Sequence, residues 1–185
     1  MPARDSRSRQ ARARIADLAA RFISEHGIHD YSLAKRKAAR QLGLPDGQGL
    51  PSNEEVDAAL IQRQDLYEPE EQATLLKSLR QQACSVMRVF LRFEPILTGA
   101  VASGAVSEHS LIELEITGDS SKDFEQFLVN QGIEFKIQDR AGRMAYLLYA
   151  EPADVLVRMM SSDIHPGQNG QRPRLSLAQL EKLSA

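Results

Sequence analysis

At 185 residues, 42% hydrophobic and 26% charged, the chain has the composition of a soluble globular protein, enough for one domain or two small ones, and not that of a disordered segment. Its one cysteine, Cys84, excludes an internal disulfide and any multi-cysteine zinc site, and no apolar stretch approaches the length of a membrane span. The net charge of -2 conceals an asymmetry: the first 40 residues carry ten Lys and Arg against four acids, or +6, and the rest carries -8.

Residues 1–11 hold no apolar side chain beyond Met, Pro and Ala and are expected to form a disordered basic tail. Residues 2–14 are Arg-rich with no apolar run behind them, which is not a signal-peptide pattern, so a cytoplasmic setting is expected. A helical region is expected over 12–93. Ile15, Leu18, Ala19, Phe22 and Ile23 make the stripe of a first amphipathic helix that Gly27 ends. Ser32 can cap a second helix that runs to Leu42, with Gly43 as terminator and turn chemistry over 45–51. Ser52 followed by Glu55 is a capping-box signature for a third helix, with Val56, Ala59 and Leu60 facing inward. Pro69 suits the first turn of a long fourth helix marked by Leu75, Leu76, Leu79, Ala83, Val86, Met87 and Phe90.

After Pro95 the period changes, and an α+β domain is expected over 94–162. Residues 96–106 are small and glycine-containing, and 111–117 (LIELEIT) alternate apolar and acidic as a strand does. Asp119 or Ser120 can cap a helix over 122–130 that stops at Gly132. Residues 133–138 and 144–150, around a turn at 139–142, read as a hairpin, and 155–160 as a further strand. Residues 163–185 are read as a loop followed by a short final helix over 176–183. The expected fold class is therefore α+β, a helical region followed by a small mixed sheet.

Residues 99–114 read GAVASGAVSEHSLIEL. This segment resembles the signature of the minimal nucleotidyltransferases of the DNA polymerase β superfamily, which runs G-S-x-A-x-G, five residues, then S-D-I-D-L. Gly99, Ala102, Gly104, Ser110, Ile112 and Leu114 fall on the frame without a gap. The chain as a whole also resembles a group of proteobacterial proteins that share residues 30–45, DYSLAKRKAARQLGLP, and the glycine segment; that likeness implies no chemistry.

The nucleotidyltransferase resemblance implies two carboxylates one residue apart on one strand face, holding Mg²⁺ against a triphosphate, and a glycine loop whose backbone N–H groups approach the phosphates. Here the family serine is Ala100, the residue before the second glycine is Ser103, and the first metal-binding aspartate is Leu111. Only the second carboxylate is kept, as Glu113. The third should come from a later strand, but residues 155–160 carry Arg158 and no acid, with Asp154 at the edge. The expectation is a nucleotidyltransferase fold that has lost metal-dependent transfer and serves as a binding or scaffold module. In that reading it needs no cofactor, and Gly99, Ala100, Ser103, Gly104 and Ser110 form a kept loop that still takes a ligand such as a nucleotide, or a protein partner.

Three alternatives stand beside it. In one, Glu113 and Glu115 act as the catalytic pair of an active Mg²⁺-dependent transferase. In another, Lys35, Arg36, Lys37 and Arg40, with Tyr31 for stacking, bind nucleic acid. In the third, the strand–helix–hairpin–strand order is that of a ferredoxin-like regulatory domain. Lesser signals are read as structural. Arg21 and His26 match the R-x4-H spacing of HEPN-type ribonucleases, but helix geometry sets them about 140° apart. Cys84 lies among apolar neighbours as a buried thiol, the Met159–Met160 pair reads as packing, and His109 is a loop histidine.

Overall fold

The computed structural model describes residues 2–44, 49–67, 69–118, 120–140, 143–160 and 173–184. Helix α1 spans Pro2–His26, so the expected structureless tail instead continues the first helix. Alanine, arginine and glutamine are among the strongest helix formers, and local propensity carries the helix past its apolar stripe. Ile15, Ala16, Ala19, Ala20, Phe22 and Ile23 are buried, and Gly27 ends the helix at φ 62°.

Helix α2 (Tyr31–Gln41) is capped by Asp30 and not by Ser32: the Asp30 carboxylate accepts from the N–H groups of Ser32 (2.8 Å) and Leu33 (3.2 Å). Before helix α3 (Asn53–Tyr67) the capping box is made as expected, Ser52 N–H donating to Glu55 Oε2 (2.7 Å) and Glu55 N–H to Ser52 Oγ (3.1 Å). Helix α4 (Pro69–Val89) buries Leu79, Ala83, Cys84 and Met87, so Cys84 is the buried thiol anticipated.

The sheet half consists of β1 (Ile96–Thr98), α5 (Gly99–Ser103), β2 (Ile112–Thr117), α6 (Ser121–Asn130), β3 (Phe135–Arg140), β4 (Arg143–Leu148), β5 (Val155–Met160), β6 (Leu175–Ser176) and α7 (Leu177–Ser184). Thus the small segment after Pro95 holds a short strand and a short helix. The Ser120 hydroxyl caps α6 by accepting from Asp123 N–H; the alternative cap Asp119, the turn residues 141–142 and loop residues 163–172 lie outside the described residues. Six strands lie in the order β3-β4-β5-β2-β1-β6, with β2 and β5 parallel and the other pairs antiparallel. The parallel β2–β5 pair excludes the ferredoxin-like alternative, whose sheet is antiparallel throughout.

Two apolar cores result. One joins α1, α2 and α3, and Ala105 from the loop after α5 inserts into it. The other lies between α4, α6, α7 and the sheet, where Phe90, Phe93, Phe124, Phe127 and Tyr146 meet edge to face at 5.1–6.0 Å. By packing, α4 therefore belongs with the sheet. Gln72 of α4 donates to the Val106 carbonyl at 2.8 Å, and Gln64 of α3 donates to the same oxygen, which ties both layers to the loop between α5 and β2.

Candidate functional site

Thr98 ends β1, and Gly99 turns the chain into α5 at φ 71°. That left-handed conformation favours glycine, and so does crowding: a Cβ on Gly99 would lie 2.5 Å from Glu113 Oε1. Gly104 closes α5 at φ 88°, where a Cβ would meet Leu76 only at an ordinary 3.7 Å, so its backbone angle alone calls for glycine.

The polar loop residues turn inward. Ser103 Oγ donates to Ala100 O (3.2 Å) and accepts from Ala105 N–H (3.4 Å). Ser110 is buried and its Oγ accepts from Ser107 N–H at 2.8 Å. Both hydroxyls are thus committed to the loop's own backbone. Arg80 of α4, its charge disfavoured by burial and its pKa lowered accordingly, lies along α5 with Nε 3.5 Å from the Val101 carbonyl.

On β2, period two places Ile112, Leu114 and Ile116 in the core and Glu113 and Glu115 together on the opposite face, both half-buried. The two glutamates do share a face, as a paired role demands, and Glu113 is the one against Gly99. Each is ion-paired. Arg158 of β5, directly opposite Glu115 in register, reaches diagonally so that Nη2 is 2.8 Å from Glu113 Oε2. Arg174, just before β6, pairs with Glu115. Asp154 is engaged elsewhere, its carboxylate accepting from Ala150 N–H at 3.1 Å.

Leu111 lines a cavity of about 20 Å³ with Ala100, Ser107, Ser110 and Glu113 from the loop and β2, and with Ile23, His29 and Tyr31 from the α1–α2 corner. This space is of the order of one water and far from the few hundred Å³ of a ligand pocket. The His109 ring packs over the same corner: a Cβ on Gly27 would stand 3.2 Å from its Cγ. The first helices thus lie over the glycine segment, a relation that no residue pattern announced.

The donor set does not suit a divalent cation. Mg²⁺ takes oxygen ligands, yet the first position presents leucine, the two carboxylates face guanidinium groups, and the strand position for a third acid holds Arg158. Among the described residues no group of three or more His, Cys, Asp or Glu is arranged to hold a metal ion.

The basic residues of α2 have different surroundings. Lys35 Nζ donates to the Pro51 carbonyl (3.0 Å) and to Asn53 Oδ1 (2.9 Å), clamping the start of α3. Lys37 Nζ lies 4.7 Å above the Phe22 ring, while Arg36 and Arg40 are exposed. Tyr31 donates to the buried Asp57 at 2.6 Å, which ties the start of α2 to α3. Arg21 pairs with Glu25, whose carboxyl the Arg21 hydrogen bonds hold below the usual range, and His26 packs edge-on against Phe22. The two HEPN-spaced residues thus have separate structural roles.

No family model matches the chain, and no curated protein matches it. Among solved structures it is similar to a cytoplasmic RNA terminal U-transferase, at 23% identity and TM-score 0.31 over 49% of this chain and 28% of that one. It is also similar to Cid1, described as having RNA terminal uridylyl transferase activity, at 17% identity and TM-score 0.33 over 58% of this chain and 36% of that one. A Cid1 poly(U) polymerase structure with MgGTP bound gives 17% identity and TM-score 0.32 over 58% and 38%. The match thus spans about a third of the length of those chains.

Proposed function

We propose that the sheet half is a nucleotidyltransferase-fold module that has lost metal-dependent nucleotidyl transfer and serves as a protein-binding or scaffold unit. Two things support the fold part of this reading: the gapless glycine–serine frame, and the order strand, glycine turn, helix, loop, acidic strand, helix, hairpin, parallel strand around it. The observation that carries the functional part is the Arg158–Glu113 pair at 2.8 Å. A guanidinium already supplies the positive charge that a metal would bring, from the strand position where a further acid would be required. A divalent ion would have to displace it and then find hydrocarbon at Leu111 in place of oxygen. The Glu113 carboxylate also rests against Gly99, filling the concave side of the glycine turn with an anion of the protein's own. A phosphate brought there would meet that charge at close range. The reading therefore assigns no nucleotide to the glycine loop, and its residues become the hinge between two packed layers.

The shared face of Glu113 and Glu115 favours the second reading, an active transferase using that pair. One experiment separates the two. The full chain is incubated with each labelled ribonucleoside triphosphate, Mg²⁺ or Mn²⁺, and RNA or protein acceptors, and its thermal midpoint is measured with and without the metal–nucleotide mixture. The proposal expects no incorporation and no stabilisation. Metal-dependent transfer, or a metal–nucleotide stabilisation, that disappears in Glu113→Gln overturns it.

A further inference from the structure

The sheet has one long edge. Strand β3 ends the order β3-β4-β5-β2-β1-β6 and pairs with β4 through all six of its residues. Among the described residues no strand lies on its other side, and the opposite edge, β6, is only two residues long. A long edge presents a row of backbone N–H and C=O groups that a further strand can pair with. Proline and bulges are common ways of blunting such an edge; β3 has no proline, and its register with β4 runs without a break.

Uncovered apolar side chains flank this edge on the face that packs against α6. Ile137 stands directly opposite Tyr146, so the two share that face. The Tyr146 hydroxyl donates to Glu125 of α6 at 2.7 Å and lies 3.4 Å from Met144 Sδ. Val129 follows Glu125 by one helical turn. Ile137, Met144 and Val129 are 49%, 51% and 63% exposed. Single exposed apolar residues need no explanation, but three around one buried phenol mark a contact surface.

We propose that β3 pairs antiparallel with β3 of a second copy of this chain, Ile137 opposite Ile137, joining the two sheets edge to edge. Symmetry and charge select both the occupant and the register. A two-fold axis perpendicular to the sheet keeps both α6 helices on one face, and residues opposed across it are then both odd-numbered or both even-numbered. Centring the pair on Lys136 opposes the two lysines, and centring it on Gln138 opposes Lys136 to Arg140. Centring it on Ile137 opposes Lys136 to Gln138, Glu134 to Arg140 and Phe135 to Asp139, with no like charges face to face. The two isoleucines then meet on the face that carries Met144 and Val129, so the patch is complementary to itself. Six residues of strand and three side chains from each copy make a small surface, so the association is weak and depends on concentration. Strands β4 and β5 stand between this edge and the Glu113 strand, so the proposal is independent of whether that site transfers nucleotides.

The test is sedimentation equilibrium of the full chain from roughly 1 µM to 1 mM. A monomer–dimer equilibrium is expected, weakened at least about tenfold by Ile137→Lys, which sets two like charges opposite each other. Ile137 is half exposed, so this variant is expected to fold, which circular dichroism checks. Leu66→Lys, at an exposed apolar residue of α3 outside the patch, leaves the dimer unchanged. The register is read separately by oxidation of Ile137→Cys. Opposed Cα atoms lie about 4.5–5.5 Å apart, within disulfide reach, so a covalent dimer is expected. Gln138→Cys stands two positions out of register with its copy and does not form one, nor does the unmodified chain, whose Cys84 is buried. A monomer at every concentration overturns the proposal, as does a dimer indifferent to Ile137→Lys. So does cross-linking of Gln138→Cys as readily as of Ile137→Cys.

Discussion

Gly99→Ala tests the close packing of Glu113 against the glycine turn. Gly99 sits at φ 71°, and holding an L-residue there costs about 1–2 kcal/mol. The new Cβ would also stand 2.5 Å from Glu113 Oε1, 2.7 Å from Cδ and 3.1 Å from Cγ, so the carboxylate has to move. Moving it stretches or breaks the pair with Arg158, whose side chains are 28% and 21% exposed; a pair so placed contributes up to about 1 kcal/mol. Together these predict a loss of about 1–3 kcal/mol, read as a lower urea midpoint at unchanged slope. In a Glu113→Ala background the clash is gone and only the backbone cost, about 1–2 kcal/mol, remains. The cycle therefore predicts a coupling of up to about 1 kcal/mol between Gly99 and Glu113. Additive effects, or a loss below about 0.5 kcal/mol for Gly99→Ala alone, refute the packing argument.

If cations have taken the place of a metal ion, restoring oxygen ligands opens a site. The double variant Leu111→Asp/Arg158→Asp is expected to bind Mn²⁺, seen as loss of the free-ion signal in electron paramagnetic resonance, while the unmodified chain leaves that signal unchanged; equal binding by both counts against the disarmed reading. Burial, with the hydrogen bond to Glu125, pushes the Tyr146 phenol up to about 12. An unfolded chain ionises this phenol near 10, so between about 10 and 12 only the unfolded state loses the proton and stability falls as pH rises. Tyr146→Phe removes that part of the slope in urea titrations across this range, and an unaltered slope contradicts the assignment.

Much of the architecture was legible because it is locally encoded. The stripes of α1, α3 and α4, the Ser52–Glu55 box and the alternation of residues 112–117 are each specified by neighbours within a turn or a pleat. The errors are local competitions of the same kind. Asp30 took the cap because it stands just outside the helix that Ser32 already belongs to, and Ala- and Arg-rich residues 2–11 prolonged α1 without any apolar stripe. The site was half legible. Period two alone places Glu113 and Glu115 on one face. Arg174 was not foreseen, since its approach to Glu115 joins residues 59 positions apart through the β1–β6 pairing.

By itself, then, the sequence determined the element types, the inward faces and the shared face of Glu113 and Glu115, since these depend on residue identity and short-range period. Only the tertiary structure decided that Arg158 pairs with Glu113 and that the first helices lie over the glycine segment. Each of these depends on register and packing between segments far apart in the chain. A composition of near-neutral charge cannot say where opposite charges meet; the fold brings the guanidinium groups of Arg158 and Arg174 to the acidic strand.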